Sequence, residues 1–183
     1  AELNHYAING LIGEAILSQD AIPSDVLGML IQRLRRNPLT PADAIYLKAL
    51  VACQQKKTCR TPPNQILAVF GATLSQSRLR PRVKADVLTV LGMYYAQQLG
   101  DVKACVDVMR EAALLTPDDP SRQLNLAQAL MMIPDYDATR TALQRAAELD
   151  PLGVHRTRFE TIERDLSRFV SEARERNAAQ DVD

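Results

Sequence analysis

Tryptophan is missing from this 183-residue chain and aromatic residues amount to only 4%, so the core cannot rest on large rings and falls to Ala, Leu, Val and Ile. No stretch approaches the run of about 18 apolar residues that a membrane-spanning helix needs. The opening Ala1-Glu2-Leu3-Asn4-His5 lacks the basic start and apolar run of a signal peptide, and the composition predicts a soluble domain. Histidine is scarce: His5 and His155 stand far apart, with no C-x2-C or H-x3-H spacing, no Gly-rich phosphate loop and no G-x-S-x-G or H-E-x-x-H element. The expectation is no metal, no cofactor and no catalytic centre in this chain. Net charge is absent as well, with 22 basic against 22 acidic residues, yet it is unevenly spread. Residues 1–84 hold 11 basic and 5 acidic side chains (+6) and residues 85–183 hold 11 and 17 (−6), a difference of twelve charges. Such polarity suits solvated surface, an anionic contact or head-to-tail stacking.

What is present is helical periodicity. Ile8, Leu11, Ile12, Ala15 and Ile16 follow the i, i+3, i+4, i+7, i+8 rule and predict a helix over 3–18. Leu27, Leu30, Ile31 and Leu34 predict a second over 24–36, and Thr40, Pro41 and Asp43 open a third that runs to about Ala52. Pro62-Pro63 leads into Ile66, Leu67, Phe70 and Leu74, and Pro81 opens a helix carrying Val87, Leu88, Leu91, Tyr94, Tyr95 and Leu99. Gly100-Asp101 reads as a stop and restart, followed by Val102, Val106, Met109 and Ala113. Pro117-Asp118-Asp119-Pro120 and Pro134-Asp135 punctuate two more helices, and Phe159, Ile162, Leu166, Phe169 and Ala173 predict a long last helix fraying after about Arg176. No segment alternates with period two, so the fold class is all-α with about nine helices.

The chain also echoes itself. Asp101-x-x-Ala104 recurs as Asp135-x-x-Ala138, Ala112-Ala113 as Ala146-Ala147, and Leu115-x-Pro117 as Leu149-x-Pro151, each at a spacing of 34. A fixed period closed by proline marks stacked helix-turn-helix units that bury one another's faces. Within 85–117, Leu88, Leu91-Gly92, Tyr95, Ala104 and Val108 resemble the tetratricopeptide repeat pattern, with Ala112 and Pro117 one place late. Residues 120–151 resemble it through Leu126-Ala127, Leu130, Leu143, Ala146 and Pro151, with Ala138 one place early. The resemblance implies a right-handed superhelix of antiparallel hairpins. It divides one continuous domain into an N-terminal helical region over 1–80, two repeats over 81–151 and a capping helix with a frayed tail over 152–183. Small residues Gly92, Ala104, Ala127 and Ala138 are what two helices need at their closest crossing. Families of this kind bind peptides or protein surfaces in a concave groove. On that analogy Tyr94, Gln97, Gln98, Arg122, Asn125 and Gln128 are groove candidates. The Phe159–Ala173 stripe reads either as a cap on the array or as a homodimeric coiled coil.

Cys53 and Cys59 flank the polar loop Gln54-Gln55-Lys56-Lys57-Thr58, and a bridge there would contribute about 2 kcal/mol by closing the loop. Two free thiols of a cytosolic protein are the alternative, and Cys105 reads as a helix-packing residue. Arg78, Arg80, Arg82 and Lys84, extended by Lys56, Lys57 and Arg60, form a basic cluster. It lacks interleaved aromatics, which favours a solvated helix start or a contact with anionic lipid or glycan over nucleic acid.

The order Cys–loop–Cys, Pro-Pro, a short helix, Leu91-Gly92-x-Tyr94-Tyr95, Gly100-Asp101 and Pro117-Asp118-Asp119-Pro120 resembles the soluble C-terminal regions of bacterial inner-membrane proteins of the O-antigen polymerase or ligase and glycosyltransferase type. That resemblance implies a periplasmic location, an upstream membrane segment that carries the catalytic residues, and a Cys53–Cys59 bridge. The expectation is therefore a non-catalytic scaffold for protein, peptide or glycan-assembly partners in the bacterial envelope. The alternative is a cytosolic adaptor or regulatory domain that contacts nucleic acid through its basic N-terminal half.

Overall fold

A computed structural model describes Gln32, residues 62–76 and residues 79–180, with side chains as far as Arg176. The helices expected over 3–18, 24–36 and 40–52, both loop cysteines, Lys56, Lys57, Arg60 and Arg78 lie outside the described residues. Every element among the described residues is helical, in agreement with the all-α expectation. The chain divides into two compact units, Ala1–Gly100 and Asp101–Asp183.

In the first unit, α1 (Pro63–Leu74) packs on α2 (Pro81–Tyr94). Both begin with proline at the first helical position, where its missing N–H costs nothing and its fixed φ suits the helix. Ile66, Val69, Phe70, Val87, Leu88 and Tyr94 supply the core, and full burial of each such side chain contributes roughly 1.5–3 kcal/mol. The Phe70 and Tyr94 rings stack with centroids 6.3 Å apart. The helix expected to run unbroken to Leu99 instead changes at Tyr95 into a π-helical segment, Tyr95–Leu99, which ends as the Gly100 N–H bonds back to the Tyr95 carbonyl. Gly100 closes it at φ 65, a left-handed value that glycine adopts without the Cβ clash.

Tyr95 lies nine positions before Ala104, whereas Leu130, its counterpart in the repeat resemblance, lies eight before Ala138. A difference of one residue is what a single π turn accommodates inside an α-helix.

The second unit contains α3 (Val102–Leu115), α4 (Pro120–Met132), α5 (Tyr136–Leu149) and α6 (Arg156–Gln180). Consecutive helices pack in turn, and α6 lies against both α4 and α5. Buried residues include Met109 and Ala112 on α3, Leu124, Ala127 and Leu130 on α4, Leu143 and Ala146 on α5, and Ile162 and Leu166 on α6. The buried hydroxyls are satisfied within their own helices: Thr116 donates to the Ala112 carbonyl at 3.0 Å and Thr139 to the Asp135 carbonyl at 2.8 Å. The last helix continues four residues past Arg176, over a segment whose Ala178-Ala179 pair has the highest helix propensity of any residue.

Candidate functional site

The echoed positions are capping sites. The Asp101 carboxylate accepts the Ala104 N–H at 2.9 Å and the Asp135 carboxylate accepts the Ala138 N–H at 3.1 Å. Each satisfies one of the orphan donors of a helix start, and each helix that follows is 14 residues long. Ala104 and Ala138 are half-buried members of the first turn, and it is their backbone N–H groups, not their side chains, that meet the caps. Among the other packing candidates, Leu88, Leu91, Gly92, Ala127 and Ala146 are buried and Tyr95 is half-buried.

The groove candidates do not form one exposed face. Tyr94 is fully enclosed, because one residue of rotation separates an inward from an outward side chain on a helix. Gln97 is exposed and Gln98 half-buried. In the second unit Arg122 is half-buried, with its Nε 3.6 Å from the Asp119 carboxylate. Asn125 and Gln128 are claimed by Arg158 of α6, whose guanidinium donates to both side-chain carbonyls. Burial lowers the Arg158 pKa from its ordinary value, and the two neutral acceptors replace part of its lost hydration. Two of the six groove candidates, Asn125 and Gln128, are thus engaged by α6.

The α5–α6 connection is rigidly built. Asp150 accepts the Val154 N–H at 2.9 Å and the His155 N–H at 2.7 Å, and Gly153 sits at φ 67. These bonds, led by the one from His155, hold the Asp150 carboxyl below its usual value. The loop presents Leu152 and Val154 to solvent, 90% and 75% exposed. Further along the same pair of helices, α5 and α6 form a cleft of about 470 Å³ floored by Leu143 and Leu166 and edged by Arg140, Glu163 and Arg174. Sequence reasoning missed this cleft, although Val106 on α3 becomes Arg140 on α5 at the same place in the period.

Arg80 and Arg82 of the basic cluster are exposed and Lys84 is half-buried. Cys105 is a buried free thiol whose pKa is raised by burial. Among the described residues, no three His, Cys, Asp or Glu side chains gather to hold a metal, and no helix is long and apolar enough to cross a membrane. No family model, curated protein or solved structure matches the chain.

Proposed function

We propose that this chain is a non-catalytic interaction domain, a right-handed tetratricopeptide-like superhelix of about nine helices that holds a protein or peptide partner on the periplasmic side of a bacterial inner membrane. The observation that carries the reading is periodic contact. Ser121 and His155, 34 positions apart, touch through their side chains at 3.3 Å, as corresponding residues of stacked units do. The equal caps and lengths of α3 and α5 support the same period. Stacked helical units expose long faces with little catalytic chemistry, and their usual activity is binding.

The periplasmic part of the proposal rests on Cys53 and Cys59. Intact mass after alkylation without reductant, on protein recovered from its native compartment, tests it. One reactive thiol before reduction and three after, with peptide mapping of the bridge to this pair, supports an oxidising compartment. Three thiols reactive before reduction contradict it and favour the cytosolic adaptor, for which exposed Arg80 and Arg82 would be the nucleic-acid contact. Steep loss of polyanion binding with salt would then be expected.

A further inference from the structure

Two arginines among the described residues are half-buried, Arg122 on α4 and Arg158 on α6, and their charges are met differently. Nε of Arg122 lies 3.6 Å from the Asp119 carboxylate. Arg158 has no carboxylate partner among the described residues; its Nη2 donates to two neutral oxygens, Oδ1 of Asn125 and Oε1 of Gln128. Its Nε and Nη1 carry further N–H groups that make no hydrogen bond among the described residues and reach solvent. Because a guanidinium only donates, the two amide carbonyls must face it, which leaves the amide NH2 groups of Asn125 and Gln128 over. Everything unused on these three side chains is therefore a donor, around one positive charge that no carboxylate balances. The neighbours along α6 are already engaged: His155, one turn before, meets Ser121 at 3.3 Å, and Asp165, two turns beyond, pairs with Arg168 at 3.1 Å.

We propose that Arg158, Asn125 and Gln128 form a binding site for a carboxylate of a peptide, supplied by a chain terminus or by an Asp or Glu side chain, at the seam between α4 and α6. That the carboxylate belongs to a peptide rests on the interaction reading above. A carboxylate accepts and never donates, which suits a site whose free groups all donate. One unbalanced positive charge matches its single negative one, whereas a phosphate ester, carrying about −1.5 to −2 at neutral pH, would leave charge in excess. A cation held half out of water by neutral acceptors alone is in an unfavourable setting, and an arriving anion relieves it. Charge-assisted bonds are roughly twice as strong as neutral ones, so the carboxylate displaces the exposed Gln128 from Nη2 and takes two parallel N–H···O bonds. Half-buried Asn125 keeps the guanidinium in place and acts as a positioning residue.

The test is NMR of the full chain, reading the Nε–H signal of Arg158 and the side-chain amide signals of Asn125 and Gln128. The probes are N-acetylglycine, for a chain terminus, and the α-amide of N-acetylaspartic acid, for a side chain; neutral N-acetylglycinamide and sodium chloride at matched ionic strength are the controls. The expected result is a saturable shift with at least one carboxylate, with a dissociation constant in the millimolar range, and none with the neutral amide. The tighter of the two probes identifies the source. Binding should be at least about tenfold weaker in Arg158→Gln and partly kept in Arg158→Lys. Circular dichroism verifies that each variant folds, and Asn125→Ala, which frees the guanidinium to move, should weaken binding as well. Shifts that grow without saturation, or binding unchanged in Arg158→Gln and Asn125→Ala, overturn the proposal. That failure leaves the interaction reading standing, because the latter fails instead when crosslinking captures no partner.

Discussion

The hydroxyl of Ser121 lies 3.3 Å from Nε2 of His155, one full period further along the chain. Ser121 sits in the first turn of α4 and His155 immediately precedes α6. The contact ties the start of α4 to the start of α6, beside buried Leu124.

Removing the echoed caps should be costly in equal measure. Asp101→Ala and Asp135→Ala each leave one helix-start N–H without its side-chain acceptor, and each is expected to destabilise by about 1 kcal/mol. Asp→Asn at either site should retain most of the stability. Urea denaturation midpoints of the four variants provide the measurement.

Arg158 should behave as a strut between α6 and α4. Arg158→Ala removes the donor to the carbonyls of half-buried Asn125 and exposed Gln128, at an expected cost of about 0.5–1.5 kcal/mol. Arg158→Lys should recover only part, because a point charge cannot span two acceptors as a planar fork does. A double-mutant cycle with Asn125→Ala is expected to give a coupling of at least about 0.5 kcal/mol, and additivity would show that the bond contributes nothing.

Asp150 links the α5–α6 loop to acidity. Its carboxyl is held below the ordinary value of 3.8, mainly by the His155 N–H. The stabilisation it gives is therefore present above that value and lost as pH falls through the depressed one. The stability difference between the wild type and Asp150→Ala should be full at pH 6 and shrink below about pH 4. A difference that stays constant to pH 2 would show that the carboxylate bonds do not hold the loop.

Cys105 should resist alkylation in the folded chain and react on unfolding, because it is buried and its pKa is raised by desolvation. With the folded value above the ordinary 9.0, the unfolded thiol ionises first, so stability is lost as pH rises through that ordinary value. Cys105→Ala should flatten that loss, measured as the denaturation midpoint between pH 7 and pH 10.

Much of the fold was legible because punctuation and period agree. Proline at 63, 81 and 120 opens helices α1, α2 and α4, and the apolar stripes from Ile66 to Leu143 mark faces that are buried. The π segment was not read, since a single additional residue between Tyr95 and Ala104 leaves the apolar stripe intact. Asp101 and Asp135, three places before Ala104 and Ala138, carry the signature of a helix cap, which a search for small residues at helix crossings passes over. The face carrying Asn125 and Gln128 was read as open because their partner, Arg158, lies 33 and 30 residues away, beyond any local pattern. The α5–α6 cleft needed the relative lengths of two helices and the burial of Leu166, which composition does not provide.

Photo-crosslinking in living cells, with a photoreactive residue placed in turn at exposed Gln97 and Gln144, asks whether the proposed stacked helical module works by binding. A discrete adduct with one protein is expected from at least one of these positions. The adduct should disappear when Ala127→Leu forces apart the helices packed at that fully buried position. No adduct from any position, or adducts unchanged by disrupting the stack, would contradict that reading.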